Sequence, residues 1–113
     1  MSQITTHVLD TTRGQPARNL PITLFAQVEG KWQVLASGIT NLDGRIGGLL
    51  ADDKVLDAGV YRMHFDTSTY FEANKEKGFY PYVDIVFELD GGKSHYHIPL
   101  LLTAFGYSTY RGS

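Results

Sequence analysis

Cysteine is absent from the 113 residues, and with it go disulfides, thiolate metal sites and cysteine nucleophiles. A reducing compartment therefore presents no difficulty. An excess of positive charge is also lacking: ten Lys and Arg against twelve Asp and Glu give a formal −2, and the cations are scattered singly. No basic stripe follows a phosphate backbone, so nucleic acid is not an expected partner. No apolar run approaches the ~18 residues of a membrane-spanning helix, and MSQITTHVLD lacks the regions of an export signal, so no membrane partner is expected and the chain reads as cytoplasmic. Repeats, low-complexity tracts and linkers are missing as well. One domain over 1–113 is the simplest organisation, since folding at this size buries roughly two-thirds of the unfolded chain's surface.

What is present suits strands and turns. Seven Tyr, six Phe and twelve Gly fit a β protein better than a helical bundle. Period-two alternation predicts strands over 3–8, with Ile4, Thr6 and Val8 opposite Thr5 and His7, and over 20–29 and 32–37 around a Glu29-Gly30 turn. Residues 59–66 and 79–89 alternate in the same way, the second with Val83, Ile85, Phe87 and Leu89 on one face. Asp90-Gly91-Gly92-Lys93 is expected to turn that strand into a last hairpin. Residues 49–58 are expected to be loop with a short strand near Lys54, with only Val55 and Leu56 buried. TSTYFEANKEKG (67–78) is the one plausible helix, capped by Thr67 or Ser68 and closed by Gly78. Seven or eight short strands with turn signals about every ten residues indicate a two-sheet sandwich.

The residues able to carry chemistry gather at the end of the chain. His95 and His97 lie two apart, so in a strand both imidazoles share a face. They form half of a metal site or a hydrogen-bonded structural pair, and their types and spacing leave both open. Asp43-Gly44 is a turn signal that presents Arg45 on a stiff corner. The tail after Leu102 alternates aromatic, hydroxyl and cationic groups and is expected to fold back over a site. His7 and His64 taken singly read as solvated or satisfied histidines. No G-x-S-x-G elbow is present for a serine nucleophile.

Four segments taken together carry more. ITTHVLDTTRGQPA (4–17), TNLDGRIG (40–47), YFEANKEKGFYPYVDIVFEL (70–89) and HYHIPLLLTAFGYSTYRGS (95–113) resemble, in collinear order, the transthyretin-like family and within it the 5-hydroxyisourate hydrolase branch. The terminal YRGS discriminates that branch from the hormone carriers, as do the histidines at 7 and 97. The resemblance implies an all-β sandwich of two four-stranded sheets with one short helix. It implies catalytic His7, Arg45 and His97, and substrate contacts from His7, Arg45, Tyr110, Arg111, Gly112 and Ser113, with His95 structural or supporting. No metal or cofactor is implied. The implied partner is a small molecule, 5-hydroxyisourate, opened to 2-oxo-4-hydroxy-4-carboxy-5-ureidoimidazoline in urate degradation. A homotetramer with sites at the dimer–dimer interface is implied as well. A non-catalytic small-ligand carrier is the alternative on the same sandwich, and an immunoglobulin-like module would leave the His–Arg–YRGS set unexplained.

Overall fold

Alternating apolar residues build two sheets whose inner faces meet in one core. The computed structural model describes residues 1–112. The strands are β1 (Ile4–Asp10), β2 (Gln15–Pro16), β3 (Pro21–Val28), β4 (Lys31–Ile39), β5 (Gly59–Phe65), β6 (Val83–Leu89), β7 (Tyr96–Leu102) and β8 (Tyr107–Thr109), and helix α1 (Thr67–Ala73) lies between β5 and β6. One sheet has the order β2-β1-β7-β8 and the other β4-β3-β5-β6. Ile4 and Val8 of β1 and Leu100 and Leu102 of β7 face Ile22 and Leu24 of β3 and Met63 and Phe65 of β5, all essentially without solvent access. The expected sandwich of two four-stranded sheets with one helix is therefore the observed architecture.

The site's position follows from the parallel pairing of β1 with β7, which sets Thr5 opposite His97 and His7 opposite Pro99. Residues at the two ends of the sequence thereby become neighbours in the middle of one sheet. Residues 90–95 do not close a hairpin, contrary to the turn signal. β6 and β7 belong to different sheets, so this stretch carries the chain across the sandwich. A turn sequence specifies a reversal, not the sheet the chain enters next.

Other differences are local. A bulge between Leu24 and Phe25 in the β3–β4 register puts Ala36 opposite Leu24 but Val34 opposite Phe25, so Trp32 and Val34 face outward instead of sharing the inner face with Ala36. There Trp32 and Phe25 hold the Arg62 guanidinium, with ring centroids 4.7 and 4.3 Å from its carbon. No strand forms near Lys54; Leu49, Leu50 and Leu56 are buried and Val55 is exposed. Helix α1 is capped by Asp66, whose carboxylate accepts from the Thr69 amide and hydroxyl, while the Thr67 hydroxyl donates to the Tyr80 carbonyl. It ends at Ala73 because Lys75 takes a left-handed φ of 56°. Gly78 lies beyond the helix, against the Phe71 ring.

Candidate active site

On the outer face of the first sheet, odd-numbered residues of β1 and β7 stand side by side. Thr5, His7 and His97 are half-buried there, with His95 just before the strand. Arg45 reaches the same face through the Asn41–Arg45 turn, which is tied by Asn41 N–H to Arg45 O (2.8 Å) and by the Asp43 and Arg45 amides to Asn41 Oδ1. Gly44 takes φ +74°, and its carbonyl accepts from the Val8 amide at 2.8 Å. A side chain at Gly44 would collide with the Val8 carbonyl, so glycine is what lets the turn lie on β1 and pair Arg45 with His7.

The electrostatics follow from this packing. Burial first, and then the Arg45 charge, holds His7 below the ordinary imidazole value of 6.5, with Asp43 pulling the other way. His97 is lowered by burial first, then by Arg45, His95 and His7, with hydrogen bonding to the Thr5 backbone opposing. Both rings are thus biased toward the neutral form, which can accept a proton. Thr5 Oγ1 sits between His97 Nδ1 at 2.8 Å and His95 Nε2 at 2.9 Å, and the two rings are nearly parallel with centroids 6.4 Å apart. A cavity of about 350 Å³ opens here, with Thr5, Arg45, Ile46, His95 and His97 among its lining. Among the described residues no three ligand-type side chains gather as a metal site requires.

The tail divides. Gly112 donates its amide to the His97 carbonyl at 2.8 Å, and a Cβ there would lie 2.7 Å from His97 Cδ2. Tyr110 and Arg111 do not join the histidines within one chain. They line a second cavity, of about 230 Å³, with Tyr96, Ile98, Ile85 and Phe87, and the Arg111 guanidinium lies 4.7 Å above the Tyr96 ring. Ser113 is outside the described residues. His64 belongs to the other sheet, bonded through Nδ1 to Asp84 Oδ1 at 2.7 Å. Thr5 was given no role by its sequence context, although period two already put it on the face of His7.

Known proteins resemble this chain in sequence and in fold. The family model described as HIUase/Transthyretin family matches residues 4–112. A 5-hydroxyisourate hydrolase of Mus musculus is 43% identical, covering 99% of this chain and 96% of the mouse protein, and one of Salmonella dublin is 40% identical, covering 97% and 80%. Among solved structures, sea bream transthyretin in complex with thyroxine superposes with a TM-score of 0.91 at 30% identity, covering 98% of this chain and 95% of that one. Klebsiella pneumoniae 5-hydroxyisourate hydrolase superposes at 0.84 with 34% identity, covering 97% and 98%. With a family model matched over nearly its whole length and a relative at 43% identity, this chain belongs to the HIUase/Transthyretin family.

Proposed function

We propose that the protein is a hydrolase of 5-hydroxyisourate, acting in urate degradation in the cytoplasm as one domain. The observation that carries this reading is the single face on which the Arg45 charge stands beside two imidazoles biased toward neutrality. The reaction adds water to a ring amide carbonyl and breaks the adjoining C–N bond, giving 2-oxo-4-hydroxy-4-carboxy-5-ureidoimidazoline. It needs a base for water, positive charge for the developing oxyanion and a proton for the leaving nitrogen. A neutral histidine of the His7/His97 pair serves as the base, a role worth ~10²–10⁴-fold in rate. Arg45 supplies planar donors whose charge persists at working pH. Gly112 holds the tail against His97, and Tyr110, Arg111 and Ser113 complete the substrate contacts when subunits associate into a homotetramer with clefts between dimers.

The fold itself does not separate this reading from the carrier alternative, because the likeness to a thyroxine-bound transthyretin is as extensive as that to the hydrolase. Site chemistry decides between them. A carrier channel is lined by apolar and neutral groups, whereas this face presents a guanidinium and imidazoles. The deciding assay follows the near-ultraviolet decay of freshly generated 5-hydroxyisourate with wild type, Arg45→Ala and a chain lacking residues 110–113. Acceleration over spontaneous decay by wild type alone supports the hydrolase and its site. Thyroxine binding by a folded protein that leaves the decay unchanged would establish the carrier instead.

A further inference from the structure

We propose that the Thr5 hydroxyl is a positioning group that sets which ring nitrogen of His97 carries the proton, and that it links His97 to His95 as a relay in the hydrolysis proposed above. The role is built on that reading of the site, and within it assigns both the base and the acid to His97.

A hydroxyl has one proton to donate. Thr5 Oγ1 contacts two ring nitrogens at hydrogen-bond distance, and since it donates only once at least one of them presents an N–H to it. Two arrangements run a continuous donor chain through the hydroxyl. In the first, His97 Nδ1–H donates to Thr5, Thr5 donates to His95 Nε2, and His97 Nε2 keeps its lone pair. In the second every bond is reversed and His97 Nε2 is protonated. General-base catalysis requires the first, since only there does His97 Nε2 keep the lone pair that takes a proton from water. Thr5 is paired with His97 across two central strands, so the hydroxyl is held by the sheet ladder. The other charged or titratable groups that bear on His97 are His7 from the same strand as Thr5, Arg45 from the Asn41–Arg45 turn and His95 itself.

The first arrangement is a base poised to become an acid. Water gives a proton to His97 Nε2 while its oxygen bonds to the ring carbonyl carbon and the C=O electron pair moves onto oxygen. The Nδ1 proton passes to Thr5 Oγ1, and the hydroxyl's own proton passes to His95 Nε2. His97 is then neutral with its proton on Nε2, and the positive charge rests on His95, beyond Thr5. As the C–N bond breaks, Nε2–H protonates the leaving nitrogen, and the return of the proton from His95 through Thr5 restores the starting tautomer. One ring serves both steps.

The test is ring-nitrogen NMR of ¹⁵N-histidine-labelled protein at pH 8 without substrate, on wild type, Thr5→Val and Thr5→Ser, with kcat/KM measured on all three. Wild type is expected to show His97 protonated at Nδ1. Thr5→Val, nearly isosteric, is expected to move population to Nε2–H and to lower kcat/KM roughly tenfold, part of the 10²–10⁴-fold that a positioned base contributes. Thr5→Ser is expected to recover both. Unchanged His97 nitrogens in Thr5→Val would overturn the proposal, as would equal changes in Thr5→Ser, which would assign the effect to packing. If Thr5→Val does not fold, His95→Phe removes the acceptor at the other end of the chain and must shift the same tautomer, or the proposal fails. A wild type without hydrolase activity would overturn the relay with its reaction, while the ring-nitrogen comparison would still decide the hold of Thr5 on His97.

Discussion

At the scale of single residues, the proposed hydrolysis uses Arg45 in two separable ways. In that reading its guanidinium faces the developing oxyanion, and its charge, after burial, depresses both His7 and His97. Arg45→Gln removes both effects. It is expected to lower kcat/KM by ~10²–10³, the usual cost of losing a fixed donor to an oxyanion, and to move the acid limb of the pH profile upward. Arg45→Lys keeps the charge and loses the planar fork, so its acid limb should stay near wild type while its rate falls. An unmoved limb in Arg45→Gln would show that the charge does not reach the base. The same depression has a sign in stability. Folded His7 and His97 bind protons less readily than in the unfolded chain, whose value is near 6.5, so their contribution is present at neutral pH and lost as pH falls below about 6.5. His64 lies on the other sheet with Asp84, so His64→Ala is expected to leave turnover near wild type while His97→Ala removes most of it. Equal losses would put the chemistry on the wrong sheet.

Among the elements, the tail meets the His97 ring directly, so side-chain size matters there. Gly112 donates its amide to the His97 carbonyl where a methyl would press on His97 Cδ2 at 2.7 Å. The obstructing atom is a side chain, so Gly112→Ala is expected to tilt the imidazole and cost at least tenfold in kcat/KM, on the principle that small misplacements of catalytic groups are expensive. The thermal midpoint should move little, because no buried backbone bond is broken. A large stability loss with normal turnover per folded molecule would show that Gly112 serves the fold and not the ring. At this scale the sequence was informative where alternation is strict. In β5 the inner Tyr61, Met63 and Phe65 and the strand ends were legible to within a residue. It was uninformative where a neighbour decides. The bulge opposite Phe25 is a property of the β3–β4 pair, and helix α1 stops at Ala73 because the chain turns left-handed at Lys75, two residues beyond it.

For the whole molecule, what could not be read was which strands share a sheet. The pairing of Thr5 with His97 spans nearly the entire chain, so no local pattern encodes it, and the same long-range register creates the Thr5 bridge. The resemblance supplied His7, Arg45 and His97 as a set, and alternation put the imidazoles outward. It did not reveal that Tyr110 and Arg111 of one chain turn to the opposite side of β7. That division bears on assembly. Phe105 is 79% exposed and Tyr110 59%, so a single chain leaves the aromatics of its tail in water, and β6 and β8 end their sheets with one neighbour each. The histidine face is likewise a single open wall. A homotetramer with clefts between dimers would bury the tail and supply the second wall. Sedimentation is therefore expected to give four times the 12.6 kDa chain mass, and dilution below the association range is expected to lower kcat/KM per subunit in step with loss of the tetramer. Two inactive variants extend the test. Mixing His97→Ala subunits with subunits lacking 110–113 should restore partial activity if a site takes its tail from a neighbour. Hybrids that form without any recovery would place tail and histidine of each site in the same chain, and a fully active monomer would remove the need for a second wall.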